Sequence, residues 1–229
     1  MKLSVIIPVY NEIDNIAELV RRVQAVEGEK ELLIVDDGST DGTSETIRKD
    51  VLPRYGNIRY FRHDRNRGKG AAIRTALREA TGDIVIIQDS DLEYDPNDYA
   101  QILRKFREPE VSVVYGTRFF GAHYKTLSPH RYFGILTLNF LANWLYSADL
   151  TDEATCYKAF RREVLKKFHL RCTGFEFCPE FTAKVRKAGY RIVEVPVTYQ
   201  PRSREQGKKI NWRHGFEAVF TLIRYRFVD

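Results

Sequence analysis

Residues 84–91, with the sequence IVIIQDSD, join four aliphatic residues directly to an acidic cluster. This pattern predicts a buried strand that delivers carboxylates to the edge of a sheet, where open α/β sheets bind ligands. Because side chains alternate along a strand, Asp89 and Asp91 are expected to share one face while Ser90 points away. Two carboxylates on one face suit Mg²⁺ or Mn²⁺ that holds a diphosphate. The alternative interpretation is an acidic loop that ends the strand.

Around this stretch, the first half of the chain alternates strand-like and helix-like segments. The strand-like runs cover residues 3–9, 31–35, 58–62, 84–87 and 111–115, and the helix-like stretches cover 13–25, 43–51, 70–80 and 96–106. This alternation predicts an α/β protein made of βαβ units with a largely parallel sheet. Turns rich in Asp, Asn and Gly follow the first two strands, which is typical of a nucleotide crevice at the carboxyl ends of strands.

The composition indicates a globular protein and narrows its class. A chain of 229 residues, 43% of them hydrophobic, is long enough for one large domain with a sizeable core. Its formal charge of +6 suits a polyanionic partner, but no nucleic-acid-binding signature accompanies that charge, so we expect no nucleic-acid partner. Cys156, Cys172 and Cys178 form neither a metal-ligand spacing nor a disulfide framework, which indicates the reducing cytoplasm.

Two apolar and aromatic segments in the second half predict helices. Residues 132–146, with the sequence YFGILTLNFLANWLY, and residues 216–228 are both shorter than the ~20 apolar residues that cross a bilayer. One interpretation is that they rest on a membrane surface through amphipathic faces and basic residues. The alternative is that both pack on the protein core, as most amphipathic helices do.

Four motifs resemble, in order and spacing, the signature of family 2 glycosyltransferases. They are VIIPVYNE at 5–12, IVDDGSTDGT at 34–43, NRGKG at 66–70 and DSDL at 89–92. Further segments are similar to the branch that contains dolichyl-phosphate mannose synthases and related polyprenyl-phosphate glycosyltransferases. These segments are 115–119, 156–162, 174–177 and 194–197, so the resemblance covers nearly the whole chain.

The resemblance implies a GT-A, Rossmann-like fold with a mostly parallel central sheet and C-terminal amphipathic helices. It implies one domain over residues 1–229, with 1–115 as the nucleotide-sugar-binding half and 116–229 as the acceptor-binding half. The implied activity is metal-dependent, inverting transfer of a hexose to a dolichyl or polyprenyl phosphate, with mannose from GDP-mannose as the leading donor. The alternatives are a UDP-sugar donor with the same acceptor, or transfer to a saccharide hydroxyl.

The resemblance also implies which residues form the site. The implied donor-binding residues are Pro8, Tyr10, Glu12, Asp37, Lys69, Asp89, Ser90, Arg202, Arg204 and Lys208. The implied ligands of Mn²⁺ or Mg²⁺ are Asp89, Asp91 and Glu93, and the implied catalytic residues are Asp91, Arg118 and Arg131. Glu93 stands where many relatives have glutamine. Either Arg202 or Arg204 is expected to contact the donor diphosphate.

The acceptor determines which further side chains the reaction needs. An acceptor phosphate is already anionic, so it needs no base but calls for arginines that hold it beside the donor diphosphate, and Arg118 and Arg131 match that role. A hydroxyl acceptor would instead need a base such as Glu176, Asp149 or Asp152. For a lipid acceptor we expect a cytoplasmic protein at the cytoplasmic membrane face, held there by peripheral contact or by a membrane-protein partner.

Overall fold

The computed structural model describes residues 1–119, 129–202 and 212–228, without the side chains of residues 129–131 and 212. Its strands are β1 (Leu3–Val9), β2 (Lys30–Asp36), β3 (Ile58–Arg62), β4 (Ile84–Ile87), β5 (Val113–Thr117), β6 (Lys158–Arg161) and β7 (Ile192–Pro196). They form one sheet in the order β3-β2-β1-β4-β6-β5-β7. Neighbouring strands are parallel except at β6, which runs antiparallel to β4 and β5. The predicted α/β class with a mostly parallel sheet is confirmed.

Helices connect the strands and cover both faces of the sheet. They are α1 (Ile16–Ala25), α2 (Thr43–Thr46), α3 (Lys69–Glu79), α4 (Tyr99–Lys105), α5 (Pro129–Tyr146), α6 (Phe177–Lys187) and α7 (Trp212–Phe227). After α2 the chain continues through a π-helical turn, Ile47–Val51, into a 3-10 turn, Leu52–Arg54. The predicted helix over residues 43–51 is therefore regular only in its first turn.

The core lies in two layers, one on each face of the sheet. All seven residues of β1 are buried, and its side chains alternate: Ile6 packs with α3, α5, α6 and α7, whereas Val5 and Ile7 pack with α1 and α4. A strand covered on both faces is expected to be a continuous apolar run rather than an alternating one. That is why the sequence pattern located β1 to its exact bounds.

The strands of the second half, β6 and β7, are those that sequence periodicity did not predict. β6 has only four residues, KAFR, and carries a lysine that is fully buried against the Tyr115 ring, with 3.7 Å between the lysine Nζ and the ring centroid. A buried, paired lysine removes the hydrophobic signal on which strand prediction depends. Pairing with β4 and β5, which are distant in sequence, determines the strand instead.

The C-terminal helices α5 and α7 pack on each other and each exposes an apolar stripe. Tyr146 of α5 donates a hydrogen bond to the Leu222 carbonyl of α7 at 2.6 Å. The exposed stripe of α5 consists of Phe133, Leu136, Phe140 and Trp144, and that of α7 consists of Phe216, Phe220, Ile223 and Phe227. Across the described ranges, no helix has the length and apolar character needed to cross a membrane.

Candidate active site

A cleft of about 290 Å³ opens at the carboxyl ends of β1, β2 and β4. It is lined by Pro8, Val9, Tyr10, Glu12, Asp37, Asn66, Gly68, Lys69, Ala72, Asp89, Ser90, Asp91, Glu93, Tyr94, Arg118, Ala154, Cys156, Phe175, Tyr199 and Arg202. The cleft therefore brings together residues from both ends of the chain. It lies at the edge where an open α/β sheet binds its ligands.

The wall after β2 is held in shape by the carboxylate of Asp37. This carboxylate accepts hydrogen bonds from the backbone N–H groups of Arg67 at 2.9 Å and Gly68 at 2.7 Å, and it lies 2.6 Å from Nδ1 of His63. Gly68 has a left-handed φ of +96°, and a Cβ there would lie 2.3 Å from the Thr173 carbonyl oxygen. The glycine lets the loop close against residue 173, and Asp37 fixes that loop beside the cleft.

The acidic corner of the cleft differs from the sequence prediction in one respect. β4 ends at Ile87, so Asp89, Ser90 and Asp91 belong to a loop rather than to the strand. All three line the cleft, and the expectation that Ser90 points away was wrong because strand alternation does not extend past Ile87. Nζ of Lys69, at the start of α3, lies 2.5 Å from Oδ1 of Asp89.

The charge balance of this corner fits a divalent cation. Burial, and then the neighbouring carboxylates of Asp89 and Glu93, raise the pKa of Asp91 to about 7, and the opposite effect of Arg202 does not cancel that rise. Burial contributes most to this rise, and a cation would relieve the part that comes from the negative charge of Asp89 and Glu93. Within the described ranges no three acidic, histidine or cysteine side chains are grouped to hold a metal. Mg²⁺ is commonly bound by one or two carboxylates plus substrate phosphates, so Asp91 and Asp89 suit such a cation.

Arg202 reaches the cleft from the segment after β7. Its Nη1 lies 3.1 Å from Oε2 of Glu12, and its Nη2 lies 3.3 Å from Oδ2 of Asp91. Its Nε is buried and has no hydrogen-bond partner among the described residues. A buried donor left open beside a cleft is suited to an anionic ligand.

Arg118, which follows β5, is fixed by a buried carboxylate. Its Nε and Nη2 each donate to Asp152 at 2.7 Å, and its backbone N–H donates to the same carboxylate at 3.0 Å. Burial would lower the pKa of the guanidinium, but the charge of Asp152 more than reverses this and keeps Arg118 ionised. Asp152 is fully buried, so the pair orients Arg118 and leaves Asp152 unsuited to act as a base on substrate.

The other two candidate bases do not line the cleft either. Oε1 of Glu176 accepts hydrogen bonds from the backbone N–H groups of Thr173 and Gly174, just before α6. Asp149 is exposed in a turn with a left-handed φ of +56°. Among the described residues, the carboxylates that line the cleft are Glu12, Asp37, Asp89, Asp91 and Glu93, and none of the three candidate bases is one of them.

Most of the residues implied by the resemblance meet in this cleft. Arg131 lies in α5, but its side chain is outside the described residues, and Arg204 and Lys208 are outside them altogether. Sequence reasoning did not select Asn66, Tyr94, Cys156, Phe175 or Tyr199, which also line the cleft. Asn66, Cys156 and Phe175 lie inside the motifs and segments quoted above, so the resemblance could have indicated them, whereas Tyr94 and Tyr199 depend on tertiary packing.

A cleft that contains an acidic pair and two arginines, at the carboxyl edge of a mostly parallel sheet, fits the GT-A fold of glycosyltransferases. The family model for Glycosyl transferase family 2 matches residues 4–168, and the chain belongs to that family. The predicted family, fold and enzyme class are therefore confirmed.

Three relatives match more than nine-tenths of this chain, although two of them are considerably longer. An uncharacterized protein of Methanocaldococcus jannaschii is 28% identical, over 97% of this chain and 91% of its own. The dolichol-phosphate mannosyltransferase of Pyrococcus furiosus is 28% identical, and the dodecaprenyl-phosphate galacturonate synthase of Rhizobium johnstonii is 29% identical. These matches cover 91% and 97% of this chain, which spans only 59% and 64% of the two enzymes.

Solved structures show the same fold at lower identity. The glucosyl-3-phosphoglycerate synthase of Mycobacterium tuberculosis, in complex with Mn²⁺, UDP and phosphoglyceric acid, has a TM-score of 0.75 at 18% identity. This likeness covers all of the present chain and 79% of the synthase. The structure of the same enzyme with Mg²⁺ and UDP has a TM-score of 0.72 at 18% identity. This match covers all of the present chain and 80% of the synthase.

Proposed function

We propose that this glycosyltransferase moves a hexose from a nucleoside-diphosphate sugar to a polyprenyl phosphate, with mannose from GDP-mannose as the first donor to test. The observation that carries the proposal is the ion pair of Arg118. Arg118 lines the same cleft as Asp91, and both carboxylate oxygens of Asp152 accept hydrogen bonds from the Arg118 guanidinium. The acceptor side of the cleft thus presents a fixed cation and no available base among the described residues. That arrangement suits a phosphate acceptor.

The proposed reaction exchanges one bond at the anomeric carbon for another. A phosphate oxygen of the acceptor attacks that carbon from the face opposite the donor diphosphate, which inverts its configuration. The bond between the carbon and the diphosphate oxygen breaks, and its electron pair leaves with the nucleoside diphosphate. Because donor and acceptor are both anions, Arg202 and Arg118 would offset their repulsion and hold them in line.

In this proposal the donor lies across the first half of the chain, residues 1–115, and the acceptor meets the second half, residues 116–229. Pro8, Tyr10, Glu12 and Asp37 would contact the nucleoside, and Lys69, at the N-terminus of α3, would face its phosphates. Arg131, Arg204 and Lys208 remain candidates on the acceptor and diphosphate sides.

Asp89 and Asp91 would hold Mg²⁺ or Mn²⁺ beside the diphosphate, and Glu93 is proposed below to serve a different purpose. When bound, such a cation would neutralise the diphosphate and stabilise the charge that develops on the leaving group. The raised pKa of Asp91 supports this assignment because it marks a corner with too little positive charge.

A lipid acceptor also requires a membrane surface, and the apolar stripes of α5 and α7 are suited to it. Phe133, Phe140 and Trp144 of α5 and Phe216, Phe220 and Phe227 of α7 are each more than 60% exposed to solvent. Aromatic side chains of this kind favour the interface between bilayer and water. We propose that the protein binds the cytoplasmic membrane face peripherally through these two stripes, with or without a membrane-protein partner.

The names of the relatives support the proposed polyprenyl-phosphate acceptor more than they support GDP-mannose as the donor. One relative is a dolichol-phosphate mannosyltransferase and another is a dodecaprenyl-phosphate galacturonate synthase, so both names contain a polyprenyl phosphate but different sugars. A UDP-sugar is therefore the second candidate donor. It is favoured by the UDP in the synthase structures that share this fold.

The test is transfer of radiolabelled sugar into the organic phase in the presence of a polyprenyl phosphate and Mn²⁺. GDP-mannose, UDP-glucose and UDP-N-acetylglucosamine are supplied in parallel reactions. We expect label in the lipid product with one of these donors, and loss of that label with EDTA. Donor hydrolysis or labelled water-soluble saccharide without any lipid product would contradict the lipid acceptor.

A further inference from the structure

Glu93 connects the loop after β4, which carries Asp89 and Asp91, to the segment after β7, which carries Arg202. Its Oε1 accepts a hydrogen bond from the backbone N–H of Arg202, and its Oε2 accepts one from the Tyr199 hydroxyl, both at 2.7 Å. Its carbonyl oxygen accepts from the Gln200 N–H at 2.8 Å, and Tyr94 forms an antiparallel bridge with Tyr199. The segment after β7 is therefore pinned at this buried carboxylate immediately before Arg202 enters the cleft.

The same carboxylate also reaches the acceptor side through an aromatic ring. The guanidinium carbon of Arg118 lies 5.0 Å from the centroid of the Tyr199 ring, whose hydroxyl is bonded to Glu93. On the other side, the Glu93 backbone N–H donates to Oδ1 of Asp91 at 3.2 Å. Glu93 thus contacts the supports of both arginines through its carboxylate and contacts Asp91 through its backbone N–H.

We propose that Glu93 is a positioning residue, which sets Arg202 for the donor diphosphate and, through the Tyr199 ring, Arg118 for the acceptor. This inference rests on the proposed function. It assigns Glu93 a purpose other than that of a third metal ligand, because both of its carboxylate oxygens already bind the segment that carries Arg202.

The two purposes predict different effects of the same substitutions. In Glu93→Gln, the amide oxygen still accepts from the Arg202 N–H and the amide nitrogen donates to the Tyr199 hydroxyl, so the anchor survives without its charge. Glu93→Ala removes both hydrogen bonds. A positioning residue is therefore rescued by glutamine but not by alanine.

The experiment measures binding of GDP, UDP and the corresponding monophosphates by calorimetry with Mn²⁺ present, and binding of Mn²⁺ alone by electron paramagnetic resonance. For Glu93→Ala we expect about tenfold weaker diphosphate binding, from the loss of two buried hydrogen bonds, with monophosphate and Mn²⁺ binding unchanged. Glu93→Gln should stay within about threefold of the wild type on the same reasoning. Glu110→Ala, at an exposed glutamate outside the cleft, is the matched control and should bind normally.

Tyr199→Phe keeps the test decisive if Glu93→Ala folds poorly, and a double variant adds a further test if it folds well. Tyr199→Phe retains the ring and removes one of the two bonds, so it should weaken diphosphate binding in the same direction by a smaller factor. In an Arg202→Ala background, Glu93→Ala should add little further loss, because its effect on the diphosphate acts through Arg202.

The possible failures are distinct. If the wild type binds none of these nucleotides, the proposed function fails. If the wild type binds them but Glu93→Gln loses as much affinity as Glu93→Ala, or loses Mn²⁺ affinity that Arg202→Ala retains, the carboxylate acts by its charge and the positioning proposal is overturned. A loss of affinity that persists in full in the Arg202→Ala background overturns it as well.

Discussion

The two halves of this protein distribute apolar and charged side chains in opposite ways. In the first half, β1 and β4 bury their aliphatic residues almost completely, and the charged side chains of the cleft lie on loops, apart from Lys69 at the start of α3. In the second half, Asp152, Glu153 and Lys158 are fully buried, whereas Phe140 and Trp144 are 65% and 71% exposed. The exposed aromatic side chains make the second half the candidate for contact with another surface.

Each side of this inversion has an energetic consequence. Buried charges are tolerated best when they are paired, and the second half contains the Arg118–Asp152 ion pair and Lys158, whose Nζ lies 4.0 Å from Oε1 of Glu153 and donates to the Glu153 carbonyl at 2.8 Å. Exposed apolar stripes on a soluble surface usually mark an interaction site. Substitutions can therefore distinguish the halves. Those in the first half should change the rate of sugar transfer, and those in the second half should change the unfolding free energy or the binding to a surface.

The largest effect is expected in the acidic corner of the first half. Asp91→Asn removes a negative charge beside the proposed diphosphate and cation, so we expect lipid-linked product to fall about 10³-fold. The measurement is the organic-phase transfer assay at saturating donor and Mn²⁺.

The matched control is Asp14→Asn, at an exposed aspartate outside the cleft, which should transfer at the wild-type rate. Circular dichroism should show that Asp91→Asn is folded, and its unfolding free energy should not fall. Retention of more than a tenth of the wild-type transfer rate would remove Asp91 from the mechanism.

The same contrast explains how much could be predicted from sequence. In the first half, β1 and β4 are mainly aliphatic runs covered on both faces, so the sequence predicts their observed bounds and places an acidic pair after β4 as a candidate ligand site. The bounds of the half-buried edge strand β3 are also as predicted. In the second half, the buried lysine of β6 and the Arg118–Asp152 pair depend on contacts between residues far apart in the chain. Periodicity carries no information about such pairs, and Asp152 was accordingly considered a base rather than the partner of Arg118.

A large loss of stability is expected from breaking the buried pair of the second half. Asp152→Ala leaves the Arg118 guanidinium buried without its carboxylate, which should lower the free energy of unfolding by about 3 kcal/mol. Urea denaturation followed by circular dichroism measures this loss. The double variant Arg118→Met with Asp152→Leu should recover most of the stability but not the transfer activity. If the single variant unfolds like the wild type, the pair does not support the second half.

The first half has a buried carboxylate of its own, Glu31, near the amino end of β2 and therefore at the end of the strand away from the cleft. Burial alone would raise its pKa, but hydrogen bonds from Ser4 and Thr81 and the nearby charge of Lys2 lower it to about 2. Because the folded-state pKa lies below the unfolded value near 4.5, this stabilisation is complete above about pH 5 and is lost as the pH falls towards 2.

The expected size of the Glu31 contribution is about 3 kcal/mol at neutral pH. Urea denaturation at pH 7 and pH 3 should show a smaller decrease in stability for Glu31→Gln than for the wild type, since glutamine does not titrate. A matched control is Glu29→Gln, at an exposed glutamate nearby, which should follow the wild type. Equal decreases for Glu31→Gln and the wild type would assign the acid sensitivity to other groups.

The smallest effect is expected from a single substitution on the exposed stripe of α5. It tests directly whether the exposed aromatic side chains of the second half bind a membrane surface. Trp144→Ser removes about 1 kcal/mol of apolar contact from a proposed bilayer interface, so vesicle binding should weaken about fivefold while the unfolding free energy stays the same. Co-sedimentation with vesicles of phosphatidylcholine and phosphatidylglycerol measures the binding. Ile13→Ser is the matched control, because Ile13 is 40% exposed but belongs to the first half, and it should not alter binding. If Trp144→Ser instead lowers stability and leaves vesicle binding unchanged, the stripe serves the fold and the membrane assignment fails.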